Sequence, residues 1–300
     1  MKQVNDSRIN LTIGRRPADK SKWQIVSALA RKHPTGTAGV IVMFIIIVIS
    51  VIAPVLATDH PYAIDTPNRL SPPSRESYFG TDQVGRDVYS RTIYGGRISL
   101  LIGSTVALVA VFGGAAIGIV AGYNRRLDVV IMRVMDGIMA FPGILLAISI
   151  MAVLGASVLN VIIALSIGEI PGISRVARST VLSLREQPFV DSARAIGARP
   201  IRILVTHIFP NIIPSLVVMG TFGCAAAMLS EAGLSFLGAG VPPDNPSWGN
   251  VMAESRGFLH IAVWVIFYPG LVLAIFVTSL NVAGDTLRDI LDPKLRRNLK

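Results

Sequence analysis

Residues 38–57 read AGVIVMFIIIVISVIAPVLA, twenty positions in a row without an acidic, basic or imidazole side chain. A helix rises about 1.5 Å per residue, so roughly 20 apolar residues cross the ~30 Å hydrocarbon core of a bilayer. This stretch therefore reads as a transmembrane helix. It begins after a polar, basic N-terminal segment that runs through His33, too long and too late for an ordinary secretory signal, and is expected to be an uncleaved first span.

Further apolar runs at 98–122, 134–154, 157–175, 211–234 and 259–283 bring the expected spans to about six. Hydrophobic residues make up 52% of the chain and charged residues 15%, against about 25% charged in an ordinary soluble domain. The bilayer is the solvent for most of this sequence. The fourth run is the least regular: Val158–Ile167 is cleanly apolar, but Gly168-Glu169-Ile170-Pro171-Gly172 follows. Proline lacks the amide donor a helix interior uses, which leaves a kinked helix, a short one, or no span at all.

The net charge of +10 raises the question of a nucleic-acid partner, and the placement of the cations answers it. Of the 28 Lys and Arg residues, 22 fall in the N-terminal tail, the loops after the second and fourth runs (counting Arg175, which closes the fourth), and the C-terminal tail. By the positive-inside rule those segments are cytoplasmic, both termini included. The organisation is then a cytoplasmic tail 1–37, a first span 38–57, an external loop 58–97, a five-helix core 98–283 with a cytoplasmic loop 179–210, and a cytoplasmic tail 284–300. The 58–97 segment is too short for a separate domain and is expected to fold back as a cap. Asp82 and Asp87 could suggest a calcium loop, but Arg86 and Arg91 sit among them, which favours a salt-bridged cap.

Several functions are excluded. Lysine is absent from His33 through Pro293, so no glycine-rich loop ending in Lys-Ser/Thr can cradle nucleotide phosphates. If ATP powers this protein, another subunit binds it. The four histidines show no zinc spacing, the single cysteine, Cys224, lies in an apolar run, and no G-x-S-x-G elbow is present. No metal or cofactor is expected on this chain.

The loop after the fourth run is the most patterned polar segment. Pro188 suits a first helical turn, Asp191 a helix N-terminus, and Phe189, Ala193 and Ile196 recur at i, i+4, i+7. Gly197 permits a left-handed turn, and Ile201, Leu204, Val205 and Ile208 repeat a helical stripe until Pro210 breaks it. A helix-turn-helix is expected. It either lies in the membrane interface or offers an apolar knob to a groove on a cytoplasmic partner, and periodicity does not separate the two.

In the spans, Gly114, Gly118 and Gly122 fall at i, i+4, i+8 on one helix face, where small residues let backbones approach. They are read as helix packing, with subunit contact second. Glu169 and Glu231 are the carboxylates nearest apolar spans. Glu169, beside Pro171, is a candidate for a translocation path or a kink near the cytoplasmic end, and Glu231 is read as structural.

Asp191-Ser192-Ala193-Arg194-Ala195-Ile196-Gly197, followed after nine residues by His207-Ile208-Phe209-Pro210, resembles the EAA loop of ABC importer permeases. Asp191, Ser192, His207 and Phe209 depart from the usual residues. Gly80-Thr81-Asp82-Gln83-Val84-Gly85-Arg86-Asp87 with Tyr94-Gly95-Gly96-Arg97, Ser230–Gly238, Pro242–Gly249 and Gly284–Lys294 are similar to motifs of the peptide/nickel branch, in particular the second permease of dipeptide, oligopeptide and glutathione importers.

The resemblance implies an all-α polytopic membrane protein with the type I (MetI-like) ABC importer permease fold, in the cytoplasmic (inner) membrane. It implies a loop, carried by Asp191, Ser192, Ala193, Ile196, Gly197, Phe209 and Pro210, that couples to an ATPase. The implied partners are a second permease in a heterodimer, two ATP-binding subunits that use ATP and magnesium, and an external solute-binding protein. The substrate class it suggests is di- and oligopeptides, with nickel, glutathione or opines as alternatives. An ion-gradient-driven transporter is the rival class, but it would want paired acids or histidines across the bundle and a repeated half. A membrane enzyme ranks last.

Overall fold

The computed structural model describes residues 31–291. Most of the 1–37 tail, the end of the 284–300 tail and the Asp292-Pro293-Lys294 part of the last motif lie outside the described residues. The fold is all-helical: among the described residues the β pairing is one isolated bridge, Thr81 with Asp87.

Helix α1 (Pro34–Val51) starts on a proline, which costs nothing in a first turn, and a single turn α2 (Ala53–Leu56) follows it. After a long loop, α3 (Val88–Tyr123) begins on Asp87, whose carboxylate accepts from the Ser90 amide at 2.8 Å. Then come α4 (Arg125–Met139), α5 (Gly143–Leu154), α6 (Val158–Arg185), α7 (Pro188–Ala195) and α8 (Pro200–Ile203). The chain closes with α9 (Phe209–Phe236), α10 (Trp248–Glu254) and α11 (Trp264–Leu291). Among the described residues five helices are long and apolar enough to cross a membrane, and the bent pair α4–α5 makes a sixth if counted as one span.

Helices α3, α6 and α9 pack together at the centre, α1 and α11 pair on one flank, and α11 also meets α9. Buried residues form several clusters, two of which lie towards opposite ends of the bundle. One joins Ala110, Ile119, Ile173, Val181, Ile208 and Leu216 towards the end of the bundle that carries Gly197. The other joins Met228, Trp248, Phe276 and Leu280 towards the opposite end. Large apolar side chains such as Phe44, Phe112 and Phe267 face outward from the bundle, as a lipid-facing surface requires.

Three expectations need correction. The run 134–154 is not one helix: α4 and α5 meet at 88° across the break at 140–142, where Phe141-Pro142-Gly143 ends one helix and begins the next. The fourth run is neither short nor misread, because α6 continues through Pro171 for 28 residues, beyond 175 to Arg185. Pro210 does not break the second loop helix. A π-helical turn, Leu204–Ile208, passes directly into α9, where Pro210 occupies the first turn and needs no amide donor.

Of the acids in the 80–87 stretch, Asp82 is salt-bridged and Asp87 caps α3. Asp82 Oδ2 accepts from Arg86 Nε at 2.7 Å and from Arg91 Nη1 at 2.8 Å, and Glu254 at the end of α10 binds both arginines. Arg91 is 1% exposed, so the loop before α3 is held onto α10 by a buried ionic cluster. Glu231 is equally buried and accepts from Ser235 at 2.8 Å and Ser247 at 2.7 Å, the latter also capping α10.

The candidate coupling loop and the two faces of α6

The loop starts where α6 touches the end of α3. Arg185 Nη1 donates to the carbonyls of Gly122 (2.7 Å) and Tyr123 (3.2 Å), and its guanidinium stands 5.7 Å from the centre of the Tyr123 ring. These carbonyls are among the four at a helix C-terminus that lack intrahelical donors, so a cation there is favourable twice over.

Helix α7 then runs Pro188–Ala195 with Asp191 in its first turn, accepting from Arg194 at 3.1 Å. Ser192 turns its hydroxyl back to the Pro188 carbonyl at 2.9 Å. The helix ends in a Schellman motif: the Gly197 amide donates to the Arg194 carbonyl at 2.9 Å and the Ala198 amide to the Ala193 carbonyl at 3.0 Å. Gly197 has φ +80°, and a Cβ added there would meet no atom within 4 Å. Space is not the constraint; the left-handed backbone is.

The stripe Phe189, Ala193, Ile196 does not form one buried face. Ala193 is buried, Phe189 is 40% exposed with its ring tilted 6.3 Å from His207, and Ile196 is 86% exposed. The face that packs is Val190 with Ala193, joined by Ile203 and Ile208 in the same cluster as the central helices. Val190 and Ala193 stand at i, i+3, a spacing that is legible when the stripe is counted from Val190 instead of Phe189. Left outside are Ile196, Ile201 (75%) and Val205 (59%), while Asp191, Ser192, Gly197, Phe209 and Pro210 are also exposed. A helix-turn-helix whose underside belongs to the bundle core thus presents an apolar outer surface.

The glycine seam packs α3 on α6. A Cβ on Gly114 would lie 2.8 Å from Ile173 Cβ, one on Gly118 would lie 2.6 Å from Ala177 Cβ, and one on Gly122 would lie 2.8 Å from Val181 Cβ. Away from the seam, α6 also carries polar residues, Glu169, Arg175 and Arg178. Glu169 is half-buried, 11 residues into α6 and hence about 16 Å along it, and it makes no hydrogen bond to the described residues. An ionised carboxylate at such depth against lipid costs on the order of 2.5 to 3.5 kcal/mol, so this side of α6 must meet protein or water. Two residues the sequence reading did not single out, Asp128 and Asp136 of α4, pair with Arg178 and Arg175 of α6. Their spacing on separate runs gave no local signal.

A family model described as "Binding-protein-dependent transport system inner membrane component" matches residues 114–297, more than half of the chain. The chain belongs to this family of transport permeases. A second model, the N-terminal TM domain of oligopeptide transport permease C, matches residues 21–73 of the permease. Similar proteins include the dipeptide transport system permease protein of Alkalihalophilus pseudofirmus, 41% identical and covering 92% of this chain and 91% of that one. Another is the glutathione transport system permease protein of Escherichia coli, 41% identical over 89% and 88% of the two chains. Among solved structures, the MetNI methionine ABC transporter in an inward-facing conformation matches with TM-score 0.57 at 20% identity, covering 67% of this permease and 96% of that chain. The fold is therefore that of MetI-like ABC importer permeases, and the permease is a membrane-embedded transport component.

Proposed function

We propose that this permease is one half of the passage of an ABC importer that takes di- and oligopeptides across the cytoplasmic membrane. A second permease completes the passage, two ATP-binding subunits hydrolyse ATP with magnesium, and an external binding protein delivers the peptide. Both termini and the Gly197 loop lie in the cytoplasm, in keeping with the 22 of 28 cations assigned to that side. The names of the dipeptide and glutathione relatives support the substrate class. This chain contributes no nucleotide site.

The observation that carries the mechanism is the two-faced loop. Its inner face, Val190, Ala193 and Ile203, is part of the transmembrane core, and its outer face offers Ile196, Ile201 and Val205. An ATPase cleft that closes on the outer face moves the inner face, and the helices packed on it, as one body. ATP binding then favours one arrangement of the permease by its differential contact with this loop, as any ligand-driven shift requires. Asp191, Ser192, Ala193, Ile196, Gly197, Phe209 and Pro210 form the coupling element. Glu169 lies along the translocation path.

Gly197→Val tests the assignment. The variant forces a β-branched residue into φ +80°, which strains the turn and not the membrane helices. The expected result is a permease that reaches the membrane and assembles, with ATP hydrolysis no longer tied to peptide uptake. Normal uptake in that strain would overturn the coupling role.

A further inference from the structure

Opposite the glycine seam, α6 presents a surface that no described helix covers. Gly168, Gly172, Arg175 and Ser179 recur at i, i+4, i+7, i+11 and so share one face. A Cβ on Gly168 or Gly172 would meet nothing within 4 Å, and Arg175 and Ser179 are exposed. A cleft of about 610 Å³ opens here between α4 and α6, with Asp136 and Arg175 in its wall.

The two Arg–Asp pairs between these helices differ in kind. Arg178 holds Asp128 through both Nε and Nη2, and Asp128 is only 16% exposed, so this pair fastens α4 to α6. Arg175 holds Asp136 by a single bond, Nη2 to Oδ1 at 2.5 Å, and the two side chains are 47% and 53% exposed. The Arg175 guanidinium makes no other hydrogen bond to the described residues, and Arg175 lines the cleft. A guanidinium is built to take a carboxylate through two parallel bonds, which one Asp136 oxygen does not supply.

Depth adds the second constraint. Arg175, one of the cations assigned to the cytoplasmic side, closes the fourth apolar run and lies 17 residues into the 28 of α6, about 25 Å along a helix of roughly 42 Å and so towards its cytoplasmic end. Lipid does not solvate a half-exposed ion pair there, so the surface is wet or covered by protein. A packed helix would have to satisfy the open guanidinium donors; water and a passing anionic group satisfy them without a fixed partner.

We propose that this face of α6 lines the water-filled passage and that Arg175 exchanges Asp136 for the terminal carboxylate of the peptide in transit. The proposal rests on the peptide-importer reading above. It makes Asp136 a competing anion that returns the guanidinium to rest once the peptide leaves.

The test uses the assembled importer with its binding protein, in a Cys224→Ser background. Gly172→Cys and Ser179→Cys are treated with a charged, water-soluble thiol reagent, and Ala177→Cys on the packed face serves as control. The two stripe positions should label and the control should not, with trialanine slowing the labelling. The trialanine concentration for half protection should rise about tenfold in Arg175→Gln, the loss of one charge-assisted contact, and fall in Asp136→Asn. Stripe cysteines that stay unlabelled would mean a second subunit covers the face, and the proposal would be wrong. Labelling without protection, although trialanine is taken up, or protection moving in the same direction in both variants, would reduce the pair to a fastener. Failure of the unmodified importer to take up trialanine would overturn the peptide reading and the carboxylate contact with it, while labelling alone would still decide whether the face is wet.

Discussion

Arg91 and Glu254, 163 residues apart in sequence, meet in a two-bond pair: Nη1 to Oε2 at 2.8 Å and Nη2 to Oε1 at 2.9 Å. Asp82 shares the same guanidinium, which is 1% exposed. Breaking a buried pair from one side leaves the other charge without compensation, at a cost of about 3–5 kcal/mol. Glu254→Gln is expected to lower the thermal midpoint of the detergent-solubilised permease by several degrees. Raising salt around the unmodified protein should not reproduce the loss, because buried pairs are weakly screened.

The glycine seam predicts a contrast between two glycine substitutions. Gly118 faces Ser174 and Ala177 with no room for a side chain, whereas Gly137 of α4 would meet nothing within 4 Å. Gly118→Val should destabilise by about 1–3 kcal/mol or more through overpacking. Gly137→Ala should be neutral or stabilise by up to about 1 kcal/mol, from helix propensity alone. Thermal denaturation of the two variants side by side reads the difference.

Ile196 is 86% exposed and belongs to no buried cluster of the described residues. Ile196→Asp should therefore leave stability within about 0.5 kcal/mol of the parent. If the loop docks as proposed, the ATP-binding subunits should no longer co-purify with the variant. Undiminished co-purification would move the docking surface elsewhere.

Ser247 performs two tasks with one hydroxyl: it caps α10 by accepting from the Asn250 amide at 3.0 Å and donates to Glu231 Oε1 at 2.7 Å. Ser247→Ala removes a cap worth about 0.5–2 kcal/mol and takes a donor from a carboxylate that is 1% exposed. The expected loss exceeds that of a surface cap, and Ser247→Thr, which keeps the hydroxyl, should recover most of it.

Much of the fold was legible because a bilayer imposes length and charge rules that soluble cores do not. Hydropathy located every apolar run, and the spacing of Pro188, Gly197 and Pro200 located the turn that the Schellman bonds close. What hydropathy averages away is direction. Residues 134–154 are apolar on both sides of an 88° bend, and only Phe141-Pro142-Gly143 marked it. In the same way α3 starts at Val88 instead of 98, because Arg91 enters the helix neutralised by Asp82 and Glu254, partners that no local window contains. The candidate loop's outer residues were readable, but its packed face was displaced by one position, since Phe189 and Val190 are both apolar and only tertiary contact chooses between them.

Helix α3 is 36 residues long, about 54 Å, well beyond the thickness of the hydrocarbon it crosses. One end is fixed by the Arg91 cluster, the other by the Arg185 bonds to Gly122 and Tyr123, and the glycine seam presses it along α6 in between. It is a strut, and α6 is its brace. A strut of this length that rocks by about 10° around its middle carries each end through about 5 Å, so a displacement of that size at the loop is delivered undiminished at the far face.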